Sequence, residues 1–298
     1  MQKNKTKVIF FGTADFAVPA LEALKKEGYD IVAVVTTPDK PKGRKQILTP
    51  PSIKLAAQKL GLNVLQPPSL KNPDFLKLLT THYSLLTTDV GVVAAYGKLI
   101  PPEIFNLPKH GIVVVHPSLL PKYRGPSPIQ TAILNGEKTT GVTIMKIDEE
   151  LDHGPTISSE SYKISDTDLF PTINNEIWQL STRLLIKTLP DYLSGKIKPQ
   201  PQDHTQATFT KKFTTEDGEI KPNDTPEQTH NKIRALNPEP GVFIWFEKNG
   251  KKMRLKILEA ELAGNRLEFK KVQLEGGRPM SIKEFLAGHP NFVWSVLK

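Results

Sequence analysis

Two residues in this chain combine proton-transfer chemistry with a setting that would bring it to a ligand. His116 follows four branched apolar residues, Ile112 to Val115, and precedes Pro117. Such a run suits a strand buried on both faces of a parallel sheet, and the proline limits its extension. The imidazole then stands at the strand's carboxyl end, the edge at which open α/β sheets bind ligands. A lone histidine there is ordinarily a buried ring with a satisfied hydrogen bond, but its surroundings change the weighting. Asp152 lies in the acidic, turn-rich loop Asp148–Gly154 (DEELDHG), directly after the strand-like stretch Gly141–Ile147 (GVTIMKI). The chain therefore returns in a way that lets the carboxylate face His116. A histidine and a carboxylate so placed do general acid–base work. The sequence contains no cysteine, which excludes thiolate nucleophiles, disulfides and cysteine zinc sites, and it has no paired-histidine motif that would require a metal.

Alternating elements must position these residues. Lys7–Phe11 reads as a buried strand, Phe16–Glu27 as a helix and Ile31–Thr36 as a second strand, the spacing of a parallel crossover unit. One glycine follows the first strand and no G-x-G-x-x-G is present, so a dinucleotide site is not expected. Pro38–Lys54 carries five basic residues and one acidic one, with four prolines, and reads as an ordered but mobile basic loop. A helix at Ile53–Leu60, a short strand at Asn63–Leu65, a helix near Asp74–Thr80 and a central strand at Asp89–Tyr96 continue the alternation. A helix at Ile129–Asn135 follows the histidine strand. A long amphipathic helix spans Leu169–Leu193, with Pro171 and Pro190 marking its ends.

The polar, proline-bearing stretch Gly195–Gln206 is the expected linker. Beyond it, Val242–Glu247, Met253–Leu262 and Arg266–Leu274 alternate apolar and polar residues as half-buried antiparallel strands do, which suggests a small β-barrel. Lys248–Lys256 holds five basic residues and no acidic one. It reads either as an exposed hairpin whose lysines blunt an edge or as a nucleic-acid face. At 298 residues two domains are the natural expectation: 1–194, a linker at 195–206, and 207–298. The net charge of +9 favours polyanionic partners. No run is apolar enough to span a membrane, and the polar start MQKNKTK leads directly into a strand, so a cytoplasmic protein is expected.

Four segments together resemble the methionyl-tRNA formyltransferase family: Phe11–Leu21 (FGTADFAVPAL), Asp89–Pro101 (DVGVVAAYGKLIP), His116–Gln130 (HPSLLPKYRGPSPIQ) and Leu151–Gly154 (LDHG). The Ser118-Leu119-Leu120-Pro121 run followed by Arg124-Gly125 marks the wider formyltransferase superfamily. The basic loop and the NPEPG of the carboxyl region narrow it to the tRNA enzyme.

The resemblance implies a Rossmann-like, mostly parallel α/β catalytic domain followed by an OB-like β-barrel that binds tRNA. It implies 10-formyltetrahydrofolate as formyl donor and initiator methionyl-tRNA as partner; acyl transfer of this kind requires no metal, and the sequence does not determine the oligomeric state, a monomer being the expectation. Catalysis falls on His116 and Asp152. Folate binding falls on Val93, Ala94, Ala95, Tyr96 and Gly97 and on Ser118, Leu119, Leu120 and Pro121. The family's tRNA-contacting loop places an arginine where Arg44 stands, and by their charge the neighbouring Lys42 and Lys45 and, in the second basic segment, Lys248, Lys251, Lys252 and Arg254 are expected to contact tRNA as well. One position departs from the family, which has Asn-x-His where this chain has Val114-Val115-His116. A valine has neither donor nor acceptor and cannot replace an amide. A catalytically weak folate- and tRNA-binding protein and an amino-sugar formyltransferase are therefore the alternatives to weigh.

Overall fold

The computed structural model describes residues 6–43, 45–81, 87–248, 251–290 and 292, so Arg44 lies outside the described residues. In chain order the elements are β1 (Lys7–Gly12), α1 (Val18–Lys26), β2 (Asp30–Val35), β3 (Lys40–Lys42), β4 (Ile47–Thr49), α2 (Ser52–Lys59), β5 (Val64–Leu65), α3 (Pro73–Thr81), β6 (Val90–Ala94), α4 (Pro102–Phe105), β7 (Ile112–His116), α5 (Pro128–Leu134), β8 (Thr139–Lys146), β9 (Thr156–Lys163), α6 (Phe170–Leu193), α7 (Pro226–Leu236), β10 (Phe243–Lys248), β11 (Lys251–Ala263), β12 (Arg266–Leu274), β13 (Pro279–Ser281) and α8 (Ile282–Ala287). Internal packing divides the chain into two units. The first comprises residues 1–125, 141–162 and 175–209, and the second comprises 126–140, 163–174 and 210–298.

The first unit is built on a seven-stranded sheet in the order β5-β2-β1-β6-β7-β8-β9. β5, β2, β1, β6 and β7 run parallel, and β8 pairs antiparallel to β7. The sheet is mostly parallel, as its buried apolar strands require. β1 and β6 are neighbours although four strands separate them in sequence, so the direction of winding reverses between them. That is the switch point at which open sheets bind ligands beyond the strands' carboxyl ends. Ile9 and Phe11 of β1, Val35 of β2, Val93 of β6 and Ile112 of β7 share one buried cluster with Ile104 of α4, and Val114 packs against it. A side chain on Gly12 would meet the Ala94 carbonyl at 3.1 Å and the Phe10 ring at 2.7 Å, which explains a glycine at the end of β1.

The second unit contains α5, α7 and a four-stranded antiparallel sheet in the order β10-β11-β12-β13. α5 packs against α7, and α7 against β11 and β12. Thr225 and Gln228 close a reciprocal capping box at the start of α7. Buried Arg234 of α7 donates to the carbonyls of Ser165 (2.6 Å) and Asp168 (2.8 Å). Phe285 of α8 lies edge-on to Phe246 of β10 at 6.0 Å and closes the apolar side of the sheet.

Three local expectations change. Pro38–Lys54 is not strand-free, because β3 and β4 pair in an exposed antiparallel hairpin. Its two exposed faces give no alternation to read. β9 was not expected from sequence, because as a largely exposed edge strand (TISSESYK) it lacks an apolar face. Pro190 does not end α6; it sits inside the helix, which runs on to Leu193. No described helix is long and apolar enough to cross a membrane.

Candidate active site

β7 alternates its side chains, so Ile112, Val114 and His116 project to one face of the sheet. His116 closes the strand and is 4% exposed. Its Nε2 lies 3.0 Å from the Tyr123 carbonyl oxygen, which can only accept, so Nε2 carries the hydrogen. The other nitrogen, Nδ1, faces Asp152 Oδ2 at 3.5 Å. The same Oδ2 accepts a hydrogen bond from the Gly125 amide at 2.7 Å. The two residues expected to meet are thus brought together, and the backbone of the loop after β7 holds both.

That loop is fixed from below. Ser118 Oγ donates to the Lys122 carbonyl at 2.7 Å. Thr143 of β8 donates to the Ser118 carbonyl at 2.7 Å and accepts from the Leu120 amide at 3.1 Å. Sequence reading passed over Thr143, although a threonine inside the apolar run GVTIMKI signals a buried polar contact. Tyr123 (φ 61°) and Asp152 (φ 50°) both occupy the left-handed region. Residues with side chains hold that conformation when surrounding contacts over-determine it, and such positions gather at functional sites. The loop bearing Asp152 also sits hard against β8: a side chain on Gly154 would come within 1.9 Å of the Lys146 carbonyl, so the LDHG segment requires its glycine.

The stretch at the carboxyl end of β6 lies on the same edge. Val93 and Ala94 are buried and pair with Val114 and Val115. Ala95, at φ 49°, turns the chain out of the strand, and its carbonyl accepts from the Thr13 amide at 3.1 Å. Tyr96 lies edge-on to Phe11 at 5.8 Å, and burial pushes its phenol up to about 12. Gly97 is exposed. Ser118, Leu119, Leu120 and Pro121 follow β7 directly, so both expected folate segments leave neighbouring strands at one sheet edge. Val114 is half-buried among hydrocarbon, opposite Val93 on one side and Met145 on the other.

The basic residues fall into two groups. Lys42 and Lys45 are exposed on the β3–β4 hairpin, whose Ile47 and Leu48 are also 62% and 64% exposed; Arg44 is outside the described residues. In the second unit, Lys252 Nζ stands 4.7 Å from the Trp245 ring centre, and Arg254 lies 5.6 Å from Phe243 and 5.9 Å from Trp245. Arg254 also pairs with Glu275 at 2.9 Å, which holds that carboxyl below its usual range chiefly through this hydrogen bond. Lys248 and Lys251 pair across the hairpin, and the structure describes their backbone alone. No cluster of three metal-ligating side chains occurs among the described residues.

Known proteins resemble this chain along nearly its whole length. Residues 5–189 match the family Formyl transferase, and residues 212–266 match the family Formyl transferase, C-terminal domain. A solved methionyl-tRNA formyltransferase from Clostridium thermocellum superposes with a TM-score of 0.59 at 21% identity, covering 91% of this chain and 99% of that one. HypX from Aquifex aeolicus, solved in complex with tetrahydrofolic acid, superposes with a TM-score of 0.64 at 15% identity over 97% of this chain and 48% of its own. The methionyl-tRNA formyltransferase of Caldanaerobacter subterraneus subsp. tengcongensis is 39% identical, covering 95% of this chain and 97% of its own length. With identity of that order sustained over almost all of both sequences, the chain belongs to the methionyl-tRNA formyltransferase family.

Proposed function

We propose that the chain transfers the formyl group of 10-formyltetrahydrofolate to the amino group of methionine on initiator tRNA, with His116 and Asp152 as its catalytic residues. The observation that carries this reading is the pairing of buried His116 with half-buried Asp152 at the carboxyl edge of β7, beside the loop that leaves β6. In the transfer the amine nitrogen bonds to the formyl carbon, charge develops on the oxygen, the amine loses a proton, and the carbon–nitrogen bond to the folate breaks as that nitrogen takes a proton. With Nε2–H held by the Tyr123 carbonyl, Nδ1 is the nitrogen that takes a proton and then donates it to the charged oxygen, beside Asp152 Oδ2 at 3.5 Å. Asp152 holds the imidazole and receives or relays the amine proton. Val93 to Gly97 and Ser118 to Pro121 line the folate's place. Residues 1–194 supply catalysis and 207–298 engage tRNA.

Val114 removes one donor from this scheme. Its side chain packs against the cluster that holds Val93 and Ile112, so the oxyanion depends mainly on His116. Binding contacts lie elsewhere. The tRNA phosphates are read by Lys42, Arg44 and Lys45 of the hairpin and by Lys248, Lys251, Lys252 and Arg254 of β10–β11. The +9 charge supports the polyanionic partner.

The test is formylation of charged initiator tRNA with 10-formyltetrahydrofolate, with a nucleotide-linked amino sugar as the competing acceptor. Formylmethionyl-tRNA as the product sustains the proposal. Sugar formylation alone replaces it with the second enzyme reading. Binding of both ligands without turnover makes the chain a folate- and tRNA-binding relative.

A further inference from the structure

The stretch expected to be a free linker lies instead against the loops of the active site. Gln200 exchanges backbone hydrogen bonds with Thr156 at 2.7 and 2.8 Å. Two residues on, Gln202 is 7% exposed while its neighbours Pro201 and Asp203 are exposed. Its Nε2 donates to the carbonyls of Asp152 (2.9 Å) and Gly154 (2.7 Å). Its Oε1 accepts from Arg124 Nη2 at 2.7 Å. Carbonyls only accept and a guanidinium only donates, so the amide has one orientation that satisfies all three partners.

Arg124 is 3% exposed and lies between Tyr123, whose carbonyl receives His116 Nε2–H, and Gly125, whose amide binds Asp152. It also meets His204 Nδ1 at 2.8 Å. Gln202 thus ties together the two loops that orient the His116–Asp152 pair, and both loops carry a residue in the left-handed region. Two donors on one atom and an acceptor on the next are needed at that reach. Leucine supplies none of these, and glutamate keeps the bond to Arg124 while losing both donors.

We propose that Gln202 is a positioning residue for formyl transfer: it fixes the backbone of Asp152 so that the carboxylate faces both His116 and the Gly125 amide. This rests on the proposed function for its kinetic consequence and on geometry for its structural one. Displacing a catalytic group by about 1 Å costs up to about 10²-fold, so Gln202→Leu and Gln202→Glu should each lower kcat by about 10- to 100-fold with KM for both substrates nearly unchanged.

The experiment measures kcat for wild type, Gln202→Leu, Gln202→Glu, Asp152→Asn and the Gln202→Leu/Asp152→Asn double variant, together with hydrogen exchange at the Gly125 amide. If Gln202 acts through Asp152, adding Gln202→Leu to Asp152→Asn slows transfer by less than about 2-fold. The Gly125 amide then exchanges faster in both Gln202 variants than in wild type. Wild-type kcat in Gln202→Glu, fully multiplicative effects in the double variant, or unchanged Gly125 exchange would each overturn the proposal. If wild type itself forms no formylmethionyl-tRNA, the proposed function fails, and Gly125 exchange still decides whether Gln202 holds Asp152.

Discussion

His116 and Asp152 are held by the Tyr123 carbonyl and the Gly125 amide, with the Gln202 side chain on the Asp152 carbonyl, whereas Lys252 and Arg254 stand on the β10–β11 ribbon over Trp245 and Phe243. The first arrangement depends on direction. A carbonyl fixes the tautomer, an amide fixes the carboxylate, and a misplacement of an ångström matters. The second depends on summed charge, which acts over about 10 Å at 0.1 M salt and tolerates side-chain motion. Two readouts should therefore separate cleanly: turnover for the first region and salt-dependent binding for the second.

The largest expected effect lies in the first region. Asp152→Asn keeps the size of the side chain and removes its charge and basicity, so single-turnover formylation should slow by about 10³-fold, within the range for loss of a general acid or base. Its salt dependence should match wild type. A parallel change in tRNA salt slope would merge the two regions and undo the comparison.

Next comes Val114→Asn. An amide placed two residues before His116 on the same face of β7 adds a second donor for the oxyanion, and kcat should rise by about 10²-fold with KM little changed. Equal turnover in the two proteins would show that another donor already fills the role.

A smaller effect is expected from the second region. Lys252→Gln with Arg254→Gln should raise KM for tRNA by about 10-fold at low salt and flatten the slope of log KM against log salt by about one per lost phosphate contact. kcat at saturation should hold. An unchanged salt slope would leave the ribbon as an exposed edge blunted by lysines.

The smallest effect concerns pH. Burial pushes the Tyr96 phenol up to about 12, so the folded chain holds this proton more tightly than the unfolded chain, whose phenol sits near its ordinary value. Stability from this group is complete below about pH 10 and is lost as pH rises toward 12. Tyr96→Phe should lose thermal stability less steeply between about pH 10 and pH 12 than wild type, as read by melting curves. Parallel curves would mean that the ring's surroundings, and not its proton, dominate.

The elements that hold the catalytic pair were legible because each buries a continuous apolar run: β1, β2, β6 and β7 are read directly from KVIFF, IVAVVT, DVGVVAAY and IVVVH. His116 was legible for a related reason, since parallel strands bring their carboxyl ends to one edge. Asp152 is not placed by that rule, because β8 runs antiparallel to β7 and its Lys146 ends opposite Val113, so the loop after β8 itself carries the carboxylate back to His116. Elements without a readable apolar pattern were not legible. The β3–β4 hairpin and β9 are largely exposed, and α7 opens on the polar run PEQTHNK and buries Thr229, Asn231 and Arg234 beside Ile233, Ala235 and Leu236, although Thr225 and Gln228 had the spacing of a capping box. Gln202 was illegible for a different reason. Its importance comes from which carbonyls happen to lie beside it, and a polar residue among prolines looks the same whether it is solvated or docked.

The interleaving of the two units also sets an order of events on the ribosome. Residues 126–140 and 163–174 are synthesised before the end of the first unit at residue 209, yet they belong to the second. When α5 emerges, the helix that it packs against, α7, has not been made, so Ile129 and Ile133 lack their final cover. The first unit can mature during translation, while two segments drawn from its interior sequence, one of them carrying α5, wait for the rest of the second. Released chains ending at residue 209 should therefore hold the His116 corner in native form and present α5 to chaperones, a vulnerability that neither unit would have if its sequence were continuous.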